Sequence, residues 1–364
     1  MTTELREQKT KVSNILGVFH TLSCLGGPHP CSRNHKTGLI VSLLVGAACC
    51  PSAMFGQGHY WASPFVVYVA ANGSDDLLWT DETPGGLWTT GAPITGQFSA
   101  LPPALATFGG EIFLAYVANN GTHDLMVTNG TGGYWNTSTP VTGQSSSMSP
   151  ALTFFGDELV LAYVANNDSH DLLVTSSTDG VNWTKSTKVG VSSAVAPALT
   201  TFGNQLVLAY VANDGTDNLL VAVSTNGVNW TPEFTGQSTS LSPALTVFNG
   251  ELVLAYVADD GTHDLWVATS PNPYGFTWNK KTPVTGQKSP VAPALSVIPN
   301  PTYSQSPFTT FNLMMIYVAD NGSNDLFVTT SANGTEWTTT TAPITGQYSR
   351  VTPALCIVEN YNSQ

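Results

Sequence analysis

Six segments of this chain are apolar at almost every position rather than at every second one: FVVYVA (65–70), IFLAYVA (112–118), LVLAYVA (159–165, 206–212 and 252–258) and LMMIYVA (313–319). A strand with one wet face alternates, so an unbroken apolar run of this length predicts a strand buried on both faces. The flanks of each run predict three more strands. Around Leu159 they read PALTFF (150–155), then LVLAYVA, then HDLLVTSS (170–177), then WTKSTKV (183–189). Gly-Asp, Asn-Asn-Asp-Ser and Asp-Gly-Val-Asn separate them, and these are turn formers.

The four-strand unit repeats. Tyr-Val-Ala starts at Tyr68, Tyr116, Tyr163, Tyr210, Tyr256 and Tyr317. Pro-Ala-Leu starts at Pro103, Pro150, Pro197, Pro243, Pro293 and Pro353, and a Trp recurs at 88, 135, 183, 230, 278 and 337. The Tyr anchors are spaced 46–48 residues apart except across the last interval, where an insertion at 298–312 carries three prolines and reads as an extended loop. That period is one propeller blade. The repeats begin with a second strand that lacks a first, and end on a first strand, PALCIVE, that lacks a second. The two halves complete one blade. The expectation is an all-β six-bladed propeller over 59–364, closed by its C-terminal strand, because closure removes two exposed sheet edges.

Residues 1–58 differ in kind. They hold five bases and two acids, and the apolar run GLIVSLLVGAACC (38–50) is too short to span a bilayer comfortably. Arg33 and Lys36 precede it and small residues end it, the layout of a secretory signal with a long preceding region. A disordered leader fits the same residues. Export is the expectation, with no stable membrane insertion. The net charge is −13, and the repeats alone carry −16 (22 acids, 6 bases). That field repels nucleic acid, which is excluded as a partner. Four of five cysteines lie in the leader and only Cys356 lies in the repeats, so no disulfide is expected within the ring. The Asn-x-Ser/Thr triplets, Asn72 and Asn321 among them, are turn sequences first and glycosylation acceptors only in a eukaryotic secretory route.

SSTDGVNW (176–183), VSTNGVNW (223–230) and TSANGTEW (330–337) place Ser, then Asp or Asn, then Gly, then Trp. This resembles the Asp-box (BNR repeat) of sialidase-like propellers, with one residue fewer than its commonest form and Asn for Asp in two copies. Blades one and two keep only the Gly-Gly-x-Trp part. The box is a turn device, and in that family it lies on the blade periphery, so Asp179 and Trp183 are expected to be structural. The resemblance would also imply sialidase chemistry, which in the family needs three arginines on the substrate carboxylate. The repeats contain one, Arg350. A bidentate carboxylate clamp cannot be built from it. No nucleophile motif and no metal motif occurs; neither metal nor cofactor is expected, and catalysis is not the preferred reading.

Strand order puts the two-to-three turns and the four-to-one connections on one face. The polar residues expected there are His123, Asp124, His170, Asp171, His263, Asp264 and Asp325 from the turns, with Gln144, Gln237, Gln287 and Gln347 from the connections. Directional polar groups with little charge suit neutral glycans, and one weak site per blade gives avidity. The expected function is lectin-like binding of glycans or glycoproteins. Two alternatives stay open, a protein-binding or structural scaffold and a sialidase-like hydrolase. Each polar residue has a structural reading as well: Asp or Asn can cap a turn, and Gln can satisfy buried backbone.

Overall fold

In the computed structural model, the described residues are 59–83, 85–271, 277–279, 281–299, 310–338 and 343–362. They form six four-stranded antiparallel sheets, one per repeat, and blade two gains a short extra pairing at Tyr134–Trp135. In five blades the strands lie in chain order from the Pro-Ala-Leu strand outward. In blade one the innermost strand is Ala354–Asn362, paired with His59–Val69 from Val67↔Ala354 to His59↔Asn362. Each innermost strand neighbours those of the two adjoining blades, so the ring closes. The architecture is the six-bladed propeller expected from the repeats. No helix among the described residues is long and apolar enough to cross a membrane.

The core is six slabs, one in each seam between neighbouring blades, rather than one central mass. This explains the second strands. Leu161 and Tyr163 face the seam toward blade two, whereas Val160, Ala162 and Val164 face the seam toward blade four. Both sets are almost fully buried, because each blade is sandwiched by two others. Each seam also takes one repeat Trp, for example Trp183 between blades two and three.

Two local expectations need correction. The fourth strand does not start at the Trp. In blade three it is Thr187–Ser192, and Trp183 belongs to the preceding turn, with its indole N–H donating to the Gly180 carbonyl at 3.2 Å. The ring must swing under the turn to reach the seam, which takes its backbone out of regular pairing. The ends of the insertion are also strand, since Ile298 pairs with Asn312 and Pro299 with Phe311. The rest of the insertion, 300–309, lies outside the described residues, as does the leader 1–58.

The Asp-box turns are self-satisfied. Asp179 Oδ1 accepts the backbone N–H of Val181 at 2.9 Å and of Asn182 at 2.7 Å, while Ser177 Oγ accepts from Gly180 at 2.9 Å. The bonds from the Asn182 backbone and side chain, then that from Val181, hold the Asp179 carboxyl well below the usual carboxylate range. Asn226 makes the same pair of backbone bonds in blade four, at 2.9 Å each.

Candidate functional site

Shifting the fourth strand moves the glutamines with it. Gln97, Gln287 and Gln347 are buried, and Gln144 and Gln237 are half-buried. Each accepts the hydroxyl of the next blade's repeat Tyr: Tyr116 donates to Gln97, Tyr163 to Gln144, Tyr256 to Gln237, Tyr317 to Gln287, and Tyr68 to Gln347. Burial pushes the Tyr68 and Tyr317 hydroxyls up to about 12, so they are neutral donors at physiological pH. Gln144, Gln237, Gln287 and Gln347 thus have their acceptor oxygens engaged inside the seams rather than turned to the loop face. Blade three has Val191 in this position, and among the described residues no group hydrogen-bonds the Tyr210 hydroxyl.

The turns between strands two and three do form a repeated surface. The residue before each third strand is left-handed in every blade: Asp75, His123, His170, Asp217, His263 and Asn324 have φ of 57°, 57°, 52°, 54°, 59° and 61°. Asn, Asp and His are the non-glycine residues most often found there. The carbonyl of this residue accepts the N–H of the four-to-one connection at 2.9–3.0 Å, as in Ser146 to His123 and Ser349 to Asn324. Backbone therefore fixes the loop and the connection together, as strand order predicted. Within each loop an Asx turn closes the tip, as in the Thr122 N–H bond to Asn120 Oδ1 at 3.1 Å.

Side chains differ between blades. His123 is exposed, beside an Asp124 that accepts from the Thr122 hydroxyl. His170 is half-buried, and its Nδ1 is buried without a partner. Asp171 pairs with Lys188 at 2.7 Å; that bond, then the one from Ser169, holds its carboxyl below the ordinary range. Asp264 pairs with Lys288 at 3.0 Å, and His263 Nδ1 reaches Asp320 of blade six at 2.9 Å. Asp325 lies directly across the strand pair from Tyr348. No three His, Cys, Asp or Glu side chains among the described residues are grouped to hold a metal ion.

Between blades six and one this face opens into a cleft of about 310 Å³, lined by Tyr68, Ala70, Ala71, Asn72, Leu78, Ser323, Gly346 and Tyr348. Tyr348 is 47% exposed. The sequence reading missed this residue. Its signal was a position, directly after Gly-Gln, that is aromatic only in blades one (Phe98) and six (Tyr348).

The chain has the fold of several solved six-bladed propellers. AofleA from Arthrobotrys oligospora superposes with a TM-score of 0.56 at 11% identity, covering 83% of this chain and 92% of that one. The Aleuria aurantia lectin, solved in complex with Fucα1-6GlcNAc, gives 0.56 at 15% identity, covering 82% of this chain and 100% of that one. A Hadza microbial sialidase, Hz136, gives 0.51 at 16% identity over 72% of this chain and 63% of that one. No family model matches the sequence, and no curated protein matches it. At these identities the likeness defines a shared fold, the six-bladed propeller, and nothing finer.

Proposed function

We propose that this ring is a non-catalytic, lectin-like protein that binds neutral glycans on its loop face. The observation that carries this is the left-handed residue at the head of all six third strands. Its backbone is locked to the adjoining connection. The Asp or His side chains around it sit on a rigid platform without forming a metal site or a catalytic pair. Rigid placement of polar groups is what a weak, directional sugar contact requires.

The direct contacts in this reading are His123, Asp124, His170, Asp171, His263, Asp264 and Asp325. The glutamines act indirectly, by holding neighbouring blades in register. The lectin of the same fold supports the reading, and the leader's signal-like layout supports export. A hydrolase is disfavoured by residues. Among the described residues Glu82 is the one carboxyl that burial pushes up, the direction a general acid needs, but Asp81 beside it is committed to the Thr89 hydroxyl at 2.7 Å.

A glycan array with the purified ring tests the proposal. Binding should be weak per site and strong on multivalent glycans, and that avidity should be lost, with the fold intact, on joint replacement of His123, His170 and His263 by Ala. No binding to any glycan by folded protein at micromolar concentration would instead favour a protein-binding scaffold.

A further inference from the structure

The six seams are not equivalent on the loop face. The residue after Tyr-Val-Ala is an amide or acid in five blades (Asn119, Asn166, Asn213, Asp259, Asp320) and Ala71 in blade one. In two seams that side chain visibly latches onto the left-handed residue of the preceding blade. Asn119 donates to Asp75 at 2.8 Å, and Asp320 meets His263 at 2.9 Å. Ala71 has no polar atom to offer Asn324, so the seam between blades six and one has no such latch.

Two further differences fall at the same seam. The residue after the Gln is Tyr348, where blades two to four have Ser145, Ser192 and Ser238, and blade five has Lys288, already paired with Asp264. Beneath Tyr68 stands Gly91, where blades two and three place the Ser138 and Ser186 hydroxyls against their Tyr. A Cβ at Gly91 would collide with the Tyr68 hydroxyl and Gln347.

We propose that this cleft, resting on the glycan-binding reading above, is the dominant sugar site of the ring, one per chain, and takes a single neutral monosaccharide unit. No charged residue lines it. Its volume suits one sugar ring, at the low end of small-molecule sites. The Tyr348 ring offers a face for C–H-rich sugar surface, and Leu78 continues the apolar wall. Asn72 can donate and accept, while Tyr68, buried with its hydroxyl engaged by Gln347, contributes wall rather than a polar contact. Phe98 is the other exposed aromatic at the equivalent position, but the seam beyond it is closed by the Asn119 latch.

Calorimetric titration with the methyl glycosides of glucose, galactose, mannose and fucose tests this, alongside the array. At least one glycoside should bind with one dominant site per chain. Tyr348→Ala should weaken it about tenfold. Ala71→Asn, which installs what other blades carry, should weaken it as much by closing the seam. Phe98→Ala should leave it nearly unchanged, and melting temperatures check that each variant folds. If the array is positive but no methyl glycoside binds, or if Tyr348→Ala and Ala71→Asn bind as wild type does, the dominant cleft is overturned while glycan binding stands. If wild type binds nothing on either test, both readings fall.

Discussion

The Tyr256 hydroxyl donates to Gln237 Oε1 at 2.6 Å across the seam between blades four and five. Tyr210, its counterpart one blade earlier, faces the Val191 position instead. The pair makes a controlled comparison. Tyr256→Phe strands a half-buried amide oxygen and should cost about 1–2 kcal/mol. Tyr210→Phe removes a hydroxyl with no bond to lose and should be near neutral. Urea unfolding of both variants checks this; equal losses would show that the seam bond contributes nothing of its own.

Deleting Thr352 to Gln364 removes the inner strand of blade one and leaves His59–Val69 with an open edge. The truncated ring should aggregate or lose cooperative unfolding. A soluble truncated chain with an unchanged melting curve would contradict closure.

His123 holds φ at 57°. A β-branched residue there meets the full left-handed penalty, so His123→Val should destabilise by about 1–2 kcal/mol. His123→Gly and His123→Asn should be tolerated. Thermal melts separate this backbone role from sugar contact, since all three variants should lose whatever the imidazole binds.

The Asp179 carboxyl is held low by the turn it closes. Its folded pKa lies below its unfolded value, so its contribution is present above the ordinary carboxylate range of about 4 and is lost as pH falls toward the folded value. Asp179→Asn copies the blade-four turn, where Asn226 does the same work. The variant should be slightly less stable than wild type at pH 7, and the gap should shrink as pH is lowered through 4 to 2. A gap that is constant with pH would show that the charge is irrelevant to the turn.

Sialidase turnover should be absent, because the repeats hold only Arg350. A fluorogenic sialoside assayed at acid and neutral pH checks this. Activity that survives repurification and disappears in Arg350→Ala would overturn it.

The blades were legible because burial on both faces writes an unbroken apolar run, as in Leu159 to Ala165. Closure was legible because the repeats are cut mid-blade. The fourth strand was misplaced because Trp183 looks like a strand residue, whereas its position is dictated by a seam formed with the preceding blade, which no local pattern reports. The glutamines were misassigned to the surface for the same reason. Their signal was present: Gln97, Gln144 and Gln237 each precede a repeat Tyr by 19 residues. His123, His170 and His263 are read as sugar ligands, and the position they share, filled by Asp or Asn in the other blades, also marks a left-handed backbone. Which seam opens could not be read, because it depends on Ala71 and Tyr348, far apart in the chain, meeting at the closure.

That closure also sets an order in time. Of all the strands in the ring, His59–Val69 is made first and its partner Ala354–Asn362 last. At about 5–20 residues per second, blade one waits on the order of 15–60 s with an unpaired edge. Blades two to six are each complete within their own repeat and can form as they emerge. A ring released before Ala354–Asn362 is made is therefore a row of finished blades with one unpaired strand at its head, the form in which two chains could pair edge to edge, and that one strand decides between pairing with another chain and closing on its own.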